Sequence, residues 1–208
     1  MAFPAPRTTG LNIPLFGCTT YFALSKSMQE IKGRSVTLVL GGVRSGKSRF
    51  AQKLAEQESS VAFVATAKAV DEEMRNKILR HQQERPQHWR TVEEPLDLAR
   101  VFVECGPQFE ILLVDCLTLF VANVLGAEPD RVNERIDGLV HALRNVPTSV
   151  VLVSNEVGSG VVPPYPAGRQ FRDLLGEVNQ KVASVADKVV LMVAGLPLAV
   201  KGQIEVRP

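Results

Sequence analysis

An apolar run from Ser35 to Leu40 breaks at Gly41-Gly42-Val43-Arg44-Ser45-Gly46-Lys47-Ser48, and a helical pattern starts directly after it. The spacing is G-x-x-x-x-G-K-[ST]. Such a loop needs a buried strand before it and a helix after it. Its backbone N–H groups then wrap a β-phosphate, the Lys reaches the β/γ oxygens and the Ser hydroxyl meets Mg2+. The glycines let the backbone take positive φ and come close to the ligand. The competing reading is a glycine-rich turn that happens to end in Lys-Ser, and the flanking strand and helix patterns weigh against it.

The rest of the chain repeats that alternation. Phe50, Ala51, Leu54 and Ala55 have helical spacing, and Ser59-Ser60 ends the helix before the apolar run Val61 to Ala65. Further short, β-branched, non-alternating runs lie at Ile111 to Val114, Val150 to Val153 and Val189 to Val193, as expected of strands covered on both faces. Helical patterns separate them at 71–85, 95–105, 130–144 and 168–186. The expected fold is α/β and P-loop NTPase-like, a mainly parallel central sheet flanked by helices, with ligands gathering at the carboxyl ends of the strands.

Length and composition narrow the partners. The 208 residues, 45% of them hydrophobic, suit one P-loop domain over 35–208, preceded by an N-terminal arm over 1–34 that is expected to be poorly ordered. The arm opens on Pro4, Pro6, Thr8, Thr9 and Gly10. It reads either as a translated upstream region, with Met28 as the true start, or as an ordered arm that packs on a partner subunit. A net charge of +2 and the lack of a Lys/Arg block argue against nucleic acid and a membrane surface, which leaves small molecules. No run is long enough for a membrane helix, and no export signal is evident. Cys18, Cys105 and Cys116 show neither disulfide nor zinc spacing, which fits a reducing cytoplasm.

Two further features bear on chemistry. Asp115 ends the Ile111 to Val114 run, where phosphate-loop enzymes place a carboxylate on Mg2+, so Ser48 and Asp115 are the candidate metal ligands. The plain alternative for Asp115 is a cap on the next helix. The Asn-Lys-x-Asp signature of guanine-reading switches is missing from the sequence. The tract from Arg80 to Glu93 holds His81 and His88 among Arg80, Arg85 and Arg90, a set suited to an anionic phosphate. An imidazole of ordinary pKa, about 6.5, is partly neutral at cytoplasmic pH, so its lone pair can attack phosphorus while guanidinium groups spread the charge. On residues alone, a surface role for His81 competes with a nucleophilic one. His88 beside Trp89 reads as packing, and His141 lies away from every motif. Arg169 and Arg172 share a helix face and read equally as a phosphate clamp or as a solvated surface.

Taken together, several motifs resemble a known family. They are the phosphate loop, the Val64-Ala65-Thr66-Ala67 strand end, His81 with Arg85-Pro86, Trp89-Arg90-Thr91-Val92-Glu93, Asp115, Ser154-Asn155-Glu156-Val157-Gly158, Gly168-Arg169-x-Phe171-Arg172-Asp173 and Val178-Asn179-Gln180. In this order they look like the bifunctional adenosylcobinamide kinase/adenosylcobinamide-phosphate guanylyltransferase family of cobalamin biosynthesis, from about Val36 to Lys201. The resemblance implies that ATP or GTP phosphorylates adenosylcobinamide. GTP then transfers GMP, by way of a histidine, to adenosylcobinamide phosphate to give adenosylcobinamide-GDP. His81 matches that histidine, and Lys47 serves both steps. Thr66, Ala67, Lys68, Gln82, Gln83, Glu84, Arg85, Glu93 and Asp115 would line the GTP site with the loop Gly41 to Ser48. Arg169 and Arg172 are candidates for the substrate phosphate. A homo-oligomer, with a trimer as one form, is implied as well. The long arm departs from the family pattern, as does Asp115, where members often carry Glu. Two alternatives stand beside this one: a P-loop kinase of another small alcohol, and a GTP-binding regulator without covalent chemistry.

Overall fold

The computed structural model describes residues 33–68, 72 and 85–204. The strands are β1 (Val36–Gly41), β2 (Val61–Ala65), β3 (Arg90–Glu93), β4 (Ile111–Asp115), β5 (Ser149–Val153), β6 (Lys188–Val193) and β7 (Leu196–Lys201). They form one seven-stranded sheet in the order β3-β2-β4-β5-β1-β6-β7. Every pairing is parallel except β6 with β7. The helices are α1 (Lys47–Ala55), α2 (Leu98–Cys105), α3 (Leu117–Ala127), α4 (Val132–Asn145) and α5 (Pro166–Val185). The expected α/β architecture is therefore present.

Burial explains why the strands read as continuous apolar runs. Leu38, Val64, Leu112 and Leu152 share a core with Phe102 of α2, Phe120 of α3, Leu139 of α4 and Val178 of α5. On the other sheet face Val39, Phe63, Leu113, Val151 and Val190 pack with Phe50 and Ala51 of α1 and with Trp89. Each central strand thus contributes alternate residues to two cores, and none of its faces meets water. Trp89 is buried as expected, whereas His88 and His141 are exposed.

The helices form for local reasons. Pro166 occupies the first turn of α5, where its missing N–H costs nothing, and Leu175, Val178 and Val182 then repeat at helical spacing toward the core. In α4, Ile136, Leu139, Val140 and Leu143 do the same. Asp97 caps α2 by accepting from the Arg100 N–H at 3.1 Å.

Just before that cap, Glu94 is 7% exposed, and its Oε1 accepts from the N–H groups of Leu96 and Asp97, both at 3.0 Å. Its other oxygen accepts from the Arg100 guanidinium. Burial alone would raise the carboxyl pKa, but the Leu96 and Asp97 N–H groups and Arg100 outweigh it and hold it below its ordinary 4.5. Arg100 is 57% exposed and screened, so the two backbone bonds carry most of the effect. Glu94→Ala is expected to lower the unfolding free energy by about 1–3 kcal/mol, read by urea titration. A depressed native pKa stabilises fully above the ordinary 4.5 and fades as pH falls through the native value, so parent and variant converge in acid.

Candidate active site

Strand register brings the ends of the strands that carry Glu93 and Asp115 to one edge. Ala65 stands opposite both Glu93 and Asp115, and Asp115 opposite Val153. The chain therefore leaves β2, β3, β4 and β5 at the same carboxyl edge. On β1 it is Val39 that faces Val153, so Gly41 runs further out, opposite Met192 of β6.

The phosphate loop begins there. A Cβ on Gly41, whose φ is 153°, would lie 2.6 Å from both the Met192 carbonyl oxygen and Ser45 Oγ, so only glycine fits. The loop turns through a Ser45 N–H to Gly42 carbonyl bond of 3.3 Å, and Arg44 takes a φ of 57°. The Gly46 carbonyl accepts from the Phe50 N–H at 3.0 Å as α1 starts. Gly42, Val43 and Arg44 are exposed while Ser45 and Lys47 are buried. The Oγ of Ser45 is buried without a hydrogen-bond partner.

Lys47 is 8% exposed, and its Nζ donates to the Gly42 carbonyl at 2.6 Å. Burial, the largest cause, pulls its pKa down against the opposing charge of Asp115. The charge of Asp115 thus reaches Lys47. Burial, then the charge of Asp115, pushes the Cys116 thiol up to about 11, which keeps it protonated and poorly nucleophilic.

The candidates around this centre divide by what they touch. Thr66 is buried, and its hydroxyl donates to the Cys116 carbonyl and accepts from the Cys116 N–H, both at 2.8 Å. It fixes the chain after Asp115. Its own carbonyl accepts from Asn123 Nδ2 at 2.8 Å, which ties α3 to the same edge. The Arg85 guanidinium lies 3.4 Å from the centre of the Phe63 ring. Burial lowers its pKa against the pull of Asp115, and its Nε and Nη1 are buried without hydrogen-bond partners. Buried donors of this kind suit an anionic oxygen. Lys68 and Glu93 are exposed, and Ala67 and Ser48 are half-buried. His81, Gln82, Gln83 and Glu84 lie outside the described residues. Arg169 Nη1 donates to the carbonyls of Pro163 and Pro164 at 3.1 and 2.8 Å, and Arg172 pairs with Asp173 at 2.8 Å.

The motif from Ser154 to Gly158 takes on a structural part that its sequence did not disclose. Ser154 Oγ donates to Asn179 Oδ1 at 2.7 Å, and Asn179 Nδ2 donates to the Asn155 carbonyl at 3.1 Å. The Glu156 N–H donates to the Gly41 carbonyl at 3.0 Å, so this turn braces the root of the phosphate loop against α5. The β6–β7 hairpin adds a second brace, as the Gly195 N–H donates to the Ser45 carbonyl at 3.0 Å. No expectation from sequence included it.

A mostly parallel sheet and a phosphate loop that runs from an inner strand into a helix carrying a buried lysine define a P-loop nucleotide-binding fold. The family described as cobinamide kinase / cobinamide phosphate guanyltransferase matches residues 37–200, and the chain belongs to it. The bifunctional adenosylcobalamin biosynthesis protein CobP of Pseudomonas aeruginosa is 44% identical over 168 residues, which is 80% of this chain and 97% of that protein. The bifunctional adenosylcobalamin biosynthesis protein CobU of Escherichia coli is 40% identical over 179 residues, 79% of this chain and 98% of that one. Its Salmonella typhimurium counterpart is 40% identical over 180 residues, again 79% and 98%. Among solved structures, an ATPase of a bacterial type III secretion system superposes with a TM-score of 0.47 at 11% identity over 79% of this chain and 56% of that one.

Proposed function

We propose that the chain phosphorylates adenosylcobinamide with a nucleoside triphosphate and then transfers GMP from GTP to the product through a covalent GMP–His81 intermediate. The observation that carries this reading is Lys47, buried and hydrogen-bonded to the phosphate loop at the Gly42 carbonyl, on a chain whose family pairs these two activities.

In the kinase step the aminopropanol hydroxyl oxygen bonds to the γ-phosphorus, the bond to the β-bridging oxygen breaks to release the nucleoside diphosphate, and the hydroxyl proton passes to solvent. In the second step a His81 ring nitrogen bonds to the α-phosphorus of GTP and pyrophosphate leaves. A phosphate oxygen of the cobinamide phosphate then takes the GMP, and the P–N bond breaks to restore the imidazole. Both steps load negative charge onto β- and γ-oxygens, where Lys47 and the loop N–H groups lie. Barrier lowering there is positioning plus electrostatics. Thr66, through Cys116, keeps Asp115 in place, and the unpartnered donors of Arg85 suit an α-phosphate oxygen.

The donor set fits Mg2+. Among the described residues no three His, Cys, Asp or Glu side chains make a self-contained cage. Mg2+ is usually held by one or two carboxylates with substrate phosphates and water, and Asp115 with the Ser48 hydroxyl would supply the protein share. When bound, the ion neutralises charge on the β- and γ-oxygens. Among the described residues no helix is long and apolar enough to cross a membrane. A cytoplasmic location and a homo-oligomeric, trimer-forming state belong to the same proposal.

The test is to mix the protein with Mg2+ and GTP labelled at the α-phosphate. Protein-bound label that acid releases and alkali does not is the expected result, as a phosphoramidate behaves. No bound label while GTP still binds would overturn the covalent step.

A further inference from the structure

Both reactions act on a bulky corrinoid, and we propose that the connection between β5 and α5, residues 157–165, is the seat of its corrin ring. The inference rests on the two-reaction reading above and deepens it by naming where the macrocycle lies.

The connection starts beside the phosphate loop. Its strand, β5, ends at Val153, which stands opposite Asp115 of β4 and Val39 of β1. Soon after, the Glu156 N–H donates to the Gly41 carbonyl at 3.0 Å. At about 3.3–3.6 Å per residue, the chain from Glu156 to Val161 spans at most about 18 Å. That is within the reach of a corrin ring and its extended aminopropanol arm.

Its surface is apolar and uncharged. Val161, Val162 and Tyr165 are 94%, 58% and 75% exposed, close together in the chain. Single exposed apolar residues are ordinary, but a cluster of them marks a contact surface. The whole segment, Val157-Gly158-Ser159-Gly160-Val161-Val162-Pro163-Pro164-Tyr165, holds no charged side chain. A polyanion or a charged peptide would find nothing there to pair with. A corrin ring matches it, being a broad apolar macrocycle rimmed by neutral carboxamides. The valine methyls and the Tyr165 ring suit its face, while the phenol and the backbone groups suit its amides.

The segment is also held in shape by its own contacts. Arg169 Nη1 donates to the Pro163 and Pro164 carbonyls, and the Arg169 N–H donates to the Tyr165 carbonyl at 3.2 Å. A Cβ on Gly168 would come 2.8 Å from Pro163 Cβ, so glycine there lets the first turn of α5 close against the segment. Pro163, Pro164 and Pro166 fix their own φ angles besides. Apolar side chains presented on so constrained a stretch lose little freedom when a ligand covers them. Arg169, a candidate for the substrate phosphate by sequence, is thereby a positioning residue for the ring.

GMP loading from GTP involves no corrinoid, which gives the test an internal control. Combined Val162→Ser and Tyr165→Ala, both at exposed positions, should raise the KM for adenosylcobinamide about tenfold with kcat within about twofold, the mark of a lost binding contact. GMP loading should change by less than about twofold. An unchanged corrinoid KM, or an equal loss of GMP loading, overturns the proposal. So does a change in oligomeric mass, which would make the segment a subunit contact. Arg169→Ala should raise KM for adenosylcobinamide and for its phosphate alike, and a rise for the phosphate alone would overturn the positioning role. Equilibrium dialysis with dicyanocobinamide separates this inference from the reading beneath it. If the parent protein binds that corrinoid but turns over no adenosylcobinamide, the two-reaction reading fails, while weaker binding by the double variant still supports the seat. No binding by the parent, or equal binding by both, overturns the seat.

Discussion

Replacing His81 by Ala is expected to abolish protein-bound GMP and to slow formation of adenosylcobinamide-GDP by about 10⁴-fold or more, the scale seen when a covalent nucleophile is removed. The remaining route would be direct attack of cobinamide phosphate on bound GTP, a single displacement between two bulky anions that the covalent step avoids. Nucleotide affinity should hold, because the loop from Gly41 to Ser48 is braced by the backbone N–H groups of Glu156 and Gly195. Phosphorylation of adenosylcobinamide should also hold, since that step uses the γ-phosphorus and has no need of the imidazole. The decisive readout is the pair of rates in one preparation. A variant that still makes adenosylcobinamide-GDP at the parental rate would remove His81 from the chemistry, and loss of both reactions would point to a structural role for it.

The elements legible in the sequence were those with strong one-dimensional signals. β1, β2, β4, β5 and β6 are buried on both faces and so appear as unbroken apolar runs, and α4 and α5 show their inward stripe. The elements missed carry no such contrast. In α3, Leu117, Phe120, Val121 and Val124 face the core, but the residues between them are also largely apolar, which blurs the periodicity. β3 is a short edge strand with Arg90, Thr91 and Glu93 exposed, and it exists because β2 offers it a partner. β7 contains Pro197, which a sequence reading takes against a strand, and it is tolerated at the sheet edge in antiparallel pairing with β6.

The places of Lys47 at the start of α1 and of Asp115 at the end of β4 were legible, because motif spacing and strand ends fix them locally. The bracing of the loop by Asn179, Ser154 and the hairpin tip was not. Those contacts join residues far apart in the chain, and a lone Asn or Gly announces no partner. The same holds for Thr66, read as part of the GTP wall, whose hydroxyl is engaged with the backbone of Cys116. His81 itself lies outside the described residues, so its assignment rests on the motif and the chemistry of imidazole.

Lys47→Ala is expected to slow both reactions, each by about 10²–10³-fold, the usual loss when one fixed charge is withdrawn from developing oxyanions. The fold should tolerate it. The Nζ hydrogen bond goes to the carbonyl of Gly42, an exposed residue that water can serve instead, so the stability cost should stay near 1 kcal/mol or below. Loss of rate without loss of stability would separate an electrostatic role from a structural one. The comparison between reactions carries more. If both fall together, a single cradle holds the β- and γ-phosphates in the kinase step and in GMP transfer. If the kinase alone falls, GTP for GMP transfer places its pyrophosphate elsewhere. The reading of one shared phosphate loop would then give way to two separate phosphate sites.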